Sequence, residues 1–199
     1  MAASFDHSLQ RIANMEGSQI WEKPAHIEDG SALLLILYLA RTPTEEELQA
    51  LFDLAANYLR IRDLPFSLMI ELSRATWPGV LEMQSLLEVS LNFKQQNQDL
   101  FERHAGCTTI VVPHSGLRNA INMAVGMGTA KPTEAHQSIE EALPFASAYG
   151  AHIPTREELV ANGFVLPSEE EIRRAMQSAM SEEDQMSLNR SMADFQRRA

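Results

Sequence analysis

Short apolar runs alternate with amphipathic stretches between residues 32 and 148. The run Ala32–Leu39 is apolar on both faces, which is typical of a central strand that is covered on both sides. Further strands are predicted over Phe66–Leu72, Cys107–Val112 and Thr133–His136, the last of them at a sheet edge. The segment Gln19–Glu28 predicts an irregular first strand, and a turn signal after it indicates a hairpin into the central strand.

Four helices are predicted between these strands and after the last one. The first has Thr42 as its N-cap, Pro43 at the first helical position and Glu45 as the partner in a capping box. The second is expected to start at Thr76 and to run as one helix over Thr76–His104. Gly106 is expected to end this second helix.

The third predicted helix covers Ser115–Val125. Ser138 and Glu141 form a capping box for the fourth, which ends near Tyr149. The N-terminal residues are polar and carry no clear period, and a short helix is expected around Asp6–Met15. The predicted order is therefore β-β-α-β-α-β-α-β-α.

This alternation of strands and helices predicts the α/β class. It implies a mixed, mostly parallel sheet of about five strands, joined by right-handed crossovers. The chain divides into an N-terminal polar segment (1–17), an α/β domain (18–149) and a helical C-terminal extension (150–199).

Composition excludes several classes of function. The net charge of −11 and the absence of any run of four basic residues argue against nucleic-acid binding, which needs Lys and Arg to neutralise phosphates. The longest apolar run, Ala32–Ala40, is shorter than the roughly 20 residues of a membrane span. The N-terminus lacks the pattern of a secretory signal, and the single cysteine, Cys107, fits a reducing compartment. We therefore expect a cytoplasmic protein without a membrane span.

Three segments of this pattern resemble the STAS fold, the domain of sulfate transporters and anti-sigma-factor antagonists. They are Thr42–Leu48, which opens the first helix, Pro65–Ser73, which contains a strand, and Ala105–Arg118, which leads into the third helix. The likeness covers roughly residues 20–148 and is closest to divergent STAS-like bacterial domains. It implies the STAS-like sheet, whereas the role of those bacterial domains is unknown.

The resemblance also implies a place for phosphorylation. STAS regulators carry a phosphorylatable Ser after the central strand, at the start of a helix. In this chain the corresponding segment is Leu72–Gly79, where Ser73 and Thr76 are the available hydroxyls. The segment departs from the family pattern, because it has no acidic neighbour and places Pro78 at the helix start. The alternative interpretation is that Ser73 ends a strand and Thr76 borders a helix cap.

No motif for catalysis or for a cofactor is present. His104, Cys107 and His114 lie near one another in the sequence, but their spacing matches no zinc pattern. Nucleophile-elbow, zincin, phosphate-loop and dinucleotide-binding signatures are also missing from the sequence. We therefore expect no enzyme activity, no catalytic or metal-binding residues and no bound cofactor.

The C-terminal extension is predicted to contain three short helices. Each begins with a capping-box pair, and the pairs are Thr155 with Glu158, Ser168 with Glu171, and Ser181 with Asp184. Helices of this length are marginal alone in water, so they need a surface to pack on. Several methionines, whose flexible side chains suit adaptable interfaces, favour the binding of a partner.

Within this extension, residues 169–183 resemble a ubiquitin-interacting motif. Three glutamates at 169–171 match the acidic run of that motif, Ile172 its first apolar position, and Ala175 with Met176 its central pair. Ala179 stands where the motif has Ser, which is a departure from the pattern. The interaction surface predicted for the tail comprises Ile172, Ala175, Met176, Ala179 and Met180.

These observations lead to one main hypothesis and two alternatives. The main hypothesis is a non-catalytic protein-protein interaction or scaffold subunit, forming a homo-oligomer or a larger assembly through its helical arm. The first alternative is a regulatory STAS-like module that binds a lipid or a nucleotide in a pocket bordered by Trp77 and Gly126. The second is a ubiquitin-binding adaptor that uses the tail helix.

Overall fold

A computed structural model describes residues 8–26, 28–75, 80–125 and 131–177 of the chain. The strands are β1 (Gln10–Met15), β2 (Ser18–Lys23), β3 (Leu33–Leu39), β4 (Phe66–Glu71), β5 (Ala105–Val111) and β6 (Thr133–His136). The helices are α1 (Glu45–Arg62), α2 (Val80–Gln96), α3 (Gln98–His104), α4 (Ser115–Val125), α5 (Ile139–Ala148), α6 (Arg156–Ala161) and α7 (Glu169–Gln177). No helix in the described part of the chain is long and apolar enough to cross a membrane.

The strands form one six-stranded sheet in their order along the chain. β1, β2 and β3 are antiparallel neighbours, whereas β3, β4, β5 and β6 are parallel. The predicted α/β class is confirmed, with one more strand than expected. That extra strand is β1, so the helix predicted around Asp6–Met15 is wrong. Gly17, with a φ of +76°, allows the tight turn that pairs β1 with β2.

Every side chain of the central strand β3 is buried. Leu33, Leu35, Leu37 and Leu39 pack on one face of the sheet with residues of α1, α2 and α3. The alternate side chains, which include Ile36 and Tyr38, pack on the other face with residues of α5 and α6. The prediction of a central strand covered on both sides is therefore confirmed.

The core extends beyond both predicted boundaries of the α/β domain. Leu9 is buried near the start of the chain, and Leu159 and Phe164 are buried near its end, all in the same hydrophobic cluster. Glu158 joins these segments, because its carboxylate accepts hydrogen bonds from the Leu9 N–H at 2.5 Å and from the Lys23 ammonium at 2.7 Å. Residues 151–164 are thus part of the second covering layer.

The start of α1 and the capping contact of α5 differ from the prediction. Thr44, not Thr42, caps α1: its hydroxyl accepts from the Glu47 N–H at 3.2 Å, and Glu47 accepts from the Thr44 N–H at 2.8 Å. Arg41 also binds Glu47, which fixes the capping box at this position. Ser138 stands at the N-cap of α5, but its side chain makes no capping hydrogen bond.

The single helix predicted over Thr76–His104 is also wrong, because α2 and α3 are separate. The break lies at Asn97, whose buried side-chain amide donates to the Phe93 carbonyl and accepts from Arg60. Gly106 does not end a helix but lies inside β5. A Cβ atom there would be 2.9 Å from the Tyr149 carbonyl oxygen, so this position requires glycine.

The predicted α4 and the predicted edge strand β6 are both confirmed, and α4 covers the free edge of β6. Asn122 of α4 accepts from the Ala135 N–H at 2.7 Å and donates to the Ala135 carbonyl at 3.2 Å. The side chain thus replaces the neighbouring strand that an edge residue lacks, and it protects the edge from pairing with another chain.

We expect Asn122→Ala to lower the free energy of unfolding by about 1–3 kcal/mol, since it leaves two buried backbone groups without partners. Asn119→Ala is the matched control, because Asn119 lies on the same helix with an exposed side chain. Urea denaturation of both variants measures the difference. Equal stability of the two variants would contradict the assigned role of Asn122.

Candidate functional site

Polar side chains meet where the parallel strands end. Tyr38, Glu71, Val111 and His136 are in register across β3, β4, β5 and β6, so they form a row at the carboxyl edge of the sheet. This row lies on the face covered by α5 and α6. Ligands of open α/β sheets bind outside the carboxyl ends of the strands, which makes this edge the first place to examine.

Five buried polar atoms near this edge make no well-formed hydrogen bond among the described residues. We define the carboxyl-edge cluster as the five residues that carry these atoms. The atoms are Tyr38 Oη, Glu71 Oε2, Arg74 Nε, Thr109 Oγ1 and His136 Nε2. Because buried polar groups are nearly always hydrogen-bonded in folded proteins, this concentration makes the carboxyl edge the candidate functional site.

Glu71 is completely buried at the end of β4. One of its carboxylate oxygens accepts a hydrogen bond from the Ser73 N–H at 3.0 Å. Burial raises the pKa of Glu71 to about 7, and the nearby Glu140 raises it further, against the effects of Ser73 and Arg74. The carboxyl group can therefore gain or lose a proton near neutral pH.

Glu22 is a second buried glutamate, and its carboxylate differs from that of Glu71 in having a partner for each oxygen. Glu22 is 3% exposed, and its two oxygens accept from Tyr58 Oη and, at 2.7 Å, from Arg62 Nη2. Both oxygens of Glu22 thus have partners, whereas one oxygen of Glu71 has none among the described residues. The partners of Glu22 account for its burial, and those of Glu71 do not.

Arg74 follows β4 and links the cluster to the C-terminal arm. Its Nη2 atom lies 3.2 Å from Oε1 and 3.5 Å from Oε2 of Glu171 on α7. The guanidinium also lies close enough to Tyr38 and Glu71 to lower the pKa of both groups. Burial, the larger effect, raises the pKa of Tyr38, so its hydroxyl keeps its proton.

His136 occupies the far end of the row. Its ring packs against Phe145 of α5 at a centroid distance of 5.2 Å, and burial lowers its pKa. Glu71 and His136 lie on strands that are two positions apart, roughly 10 Å at ordinary strand spacing. They are therefore too far apart to exchange a proton directly.

Of the two predicted phosphorylation sites, Ser73 lies in the turn after β4. Ser73 is 5% exposed, and its backbone N–H binds Glu71. Thr76 lies outside the described residues, as do Trp77 and Gly126, which were expected to border a pocket. Phosphorylation of Ser73 and Thr76 stays a prediction.

The predicted tail surface is described in part. Ile172 is partly buried on α7. Ala175 and Met176 belong to the same helix, but their side chains are outside the description, and Ala179 and Met180 lie beyond the described residues. The capping box of Ser168 with Glu171 is confirmed, since each backbone N–H donates to the other residue's side chain.

The residues His104, Cys107 and His114 each have a separate structural partner. His104 pairs with Asp63 at 3.3 Å, and the ring of His114 accepts from the Leu117 N–H. Cys107 is buried beside Ser67, and burial raises the pKa of its thiol. Within the described ranges, no three His, Cys, Asp or Glu side chains are grouped so that they could hold a metal ion.

A shallow cleft of about 370 Å³ lies at the opposite edge of the sheet. It is lined by the turn Asp29–Ser31, by residue 147 and by residues 150–153. His152 on its wall has its Nδ1 atom 2.8 Å from the Pro24 carbonyl oxygen. Its lining consists mostly of small side chains, and the cleft is open to solvent. The carboxyl-edge cluster is therefore the better candidate for a functional site.

Comparisons with protein-family models, with curated proteins and with solved structures find no match to this chain. The carboxyl-edge cluster and the helix α7 that contacts it are the features of this chain that point to a function.

Glu71→Gln tests whether the buried carboxyl group titrates as described. Its pKa is about 7 in the folded chain and near 4.5 when exposed, so the folded chain holds this proton more tightly. The contribution of this tighter proton binding to the free energy of unfolding is fully present below pH 4.5, and it is lost as the pH rises through 7. We expect the free energy of unfolding to fall over this window in the wild type, and to fall less in Glu71→Gln.

Urea denaturation between pH 5 and 8.5 measures this difference. Glu88→Gln, at an exposed position of α2, is the control and should follow the wild type. The same pH dependence in all three proteins would contradict the assignment to Glu71.

Proposed function

We propose that the chain is a non-catalytic protein-interaction module, a scaffold subunit that binds a protein partner through the arm beginning at α7. The supporting observation is an abrupt change in how the C-terminal extension is attached. Up to Leu166 it packs into the core, whereas the ion pair of Glu171 with Arg74 is the described polar contact of α7 with the domain, and Ile172 is only partly buried.

The anchored part of the extension is firmly attached. Leu159 is 1% and Phe164 is 3% exposed, and Phe164 makes edge contacts with the rings of Trp21 and Tyr38. Glu158 pairs with Lys23 where both side chains are largely buried. The extension can therefore carry α7 at a defined place on the domain.

α7 itself is held by one described ion pair with the domain, between Arg74 and Glu171, whose side chains are 30% and 41% exposed. Pairs of this exposure contribute roughly 0–1 kcal/mol. The exposed side chain of Glu170 pairs with those of Arg173 and Arg174 on the same helix. A weakly held helix with an apolar stripe at helical spacing suits binding in the groove of a partner.

The resemblance to STAS-like domains is part of this proposal. The order of β2 to α5 includes the alternation of strands and helices on which the resemblance depends, with one additional helix, α3. A regulatory α/β domain with an appended binding helix is consistent with the absence of any motif for catalysis in the sequence.

A truncated chain that ends at Pro167 tests the proposal. We expect it to keep the thermal stability of the full chain to within a few degrees, since the buried residues up to Phe164 remain. The full chain, purified from its native source, should carry its partner in stoichiometric amount. We expect the truncated chain to lose this partner. Quantitative mass spectrometry of the purified complexes provides the measurement.

Ile61→Ser is the control for an unrelated apolar surface, because Ile61 on α1 is 82% exposed. This variant should keep the partner. Recovery of the same partner by the truncated chain, or its loss from Ile61→Ser, would show that the arm is not the binding element.

Ubiquitin is a defined candidate for the partner. If α7 binds it, Ala175 must lie against the ubiquitin surface, because Ile172, Ala175 and Met176 share one helical stripe. Titration of isotope-labelled ubiquitin with the full chain should then shift its NMR signals, and Ala175→Gln should abolish the shifts without changing thermal stability. Unchanged spectra with the wild-type chain would exclude ubiquitin.

A further inference from the structure

The guanidinium of Arg74 is only partly used. Glu171 contacts its Nη2 atom, whereas its buried Nε atom has no acceptor among the described residues. A guanidinium presents parallel N–H groups that match two oxygens of one carboxylate or phosphate group. The contact with Glu171 therefore leaves half of this fork unoccupied.

A second donor lies beside the fork. Tyr38 is 3% exposed, and its hydroxyl oxygen lies within interaction distance of the Arg74 guanidinium, while its own hydrogen has no acceptor among the described residues. The ring of Tyr38 is fixed by its edge contact with Phe164, at a centroid distance of 5.1 Å. The hydroxyl and the guanidinium thus form a preorganised pair of donors at the carboxyl edge of the sheet.

Glu171 divides its carboxylate between two tasks. The same side chain that contacts Arg74 accepts hydrogen bonds from the N–H of Ser168 at 2.7 Å and from its hydroxyl at 2.9 Å. It therefore reaches Arg74 at 3.2 Å rather than at the shorter distance of a well-formed charge-assisted pair. A ligand with free oxygens could engage the fork more completely.

We propose that Arg74 and Tyr38 form a binding site for a phosphomonoester group, and that Glu171 covers this site as an internal competitor. A phosphate dianion supplies oxygens for both Nε and Nη2 of Arg74 and accepts the hydrogen of the Tyr38 hydroxyl. It carries more charge than the carboxylate that it replaces. Binding separates Glu171 from Arg74 and so removes the described ion pair between α7 and the domain.

Binding of a phosphomonoester at this site is a function separate from the binding of a protein partner by the arm. The neighbouring acidic groups are Glu71 and Glu140, and they oppose the binding of an anion when they are charged. Arg74 is the cation that acts on both Tyr38 and Glu71, so its removal should have the largest effect on affinity.

Calorimetric titration of the full chain with inorganic phosphate and with adenosine monophosphate tests the proposal. A binding assay with vesicles that contain phosphatidic acid distinguishes a lipid source of the phosphate from a soluble one. We expect saturable binding of at least one of these probes. Arg74→Gln should weaken it by at least about tenfold, because a bidentate, charge-assisted contact is lost. Tyr38→Phe, which keeps the ring contact with Phe164, should weaken it less.

Glu171→Gln is the decisive variant, because the amide oxygen of Gln can still cap the Ser168 N–H while the competing charge is removed. We expect it to tighten binding by about two- to fivefold, the value of an exposed ion pair. Glu169→Gln, with the same charge change on the same helical turn, is the matched control and should leave the affinity unchanged.

Three outcomes would overturn the proposal. The first is that neither the wild type nor Glu171→Gln binds any of the probes. The second is that Arg74→Gln still binds the probe while circular dichroism shows that this variant is folded. The third is that Glu171→Gln and Glu169→Gln bind the probe with equal affinity. None of these outcomes depends on whether the arm binds a protein.

Discussion

The fold depends on the burial of both faces of β3. Seven consecutive buried side chains cannot be covered by one layer of helices, so the chain must supply a layer on each side of the sheet. The helices α1, α2 and α3 provide the first layer. The second layer would be incomplete with α5 alone, and it is finished by Leu159 and Phe164 from the C-terminal extension. The part of the extension that contains Leu159 and Phe164 is therefore a structural requirement of the central strand.

This constraint also explains why the carboxyl-edge cluster contains buried polar groups. Tyr38 lies at the end of β3 and Glu71 in register beside it, and the covering layer encloses both side chains. Hydrophobic burial of Phe164 against Tyr38 brings the chain to the edge of the sheet. From there the chain continues to the first turn of α7, where Glu171 contacts Arg74. The packing of apolar residues thus determines which charges meet at the site.

The sequence predicted elements well where a strong local signal had one interpretation. Ser115–Val125 and Thr133–His136 each begin shortly after a proline, and both match the structure, although His114 and not Ser115 caps the helix. Errors arose where a tertiary contact, which the local pattern does not show, determined the end of an element. The sequence pattern predicts Thr42 as the cap of α1, whereas the structure has the capping box at Thr44, where Arg41 also binds Glu47. Asn97 interrupts a helical pattern because its side chain bonds to Phe93 and Arg60, and the sequence pattern does not show these contacts.

The candidate site was harder to predict than the fold. Tyr38, Glu71 and His136 each appear in the sequence as one polar residue at the end of a strand, and register alone brings them into one row. A search for polar residues at the ends of predicted parallel strands would have found this row. Arg74 and Glu171 are 97 positions apart, and no local pattern connects them.

The contact between the Leu9 N–H and Glu158 has a consequence for how the protein is made. These groups are 149 positions apart, so the first part of the chain leaves the ribosome long before its partner is synthesised. Contacts of such long sequence separation form slowly, because the intervening chain must be ordered first. The part of the sheet face that Leu159 and Phe164 cover therefore stays exposed until α6 and the residues after it have been synthesised. The native contacts of Leu9 form only after that point, although Leu9 is among the first residues to leave the ribosome.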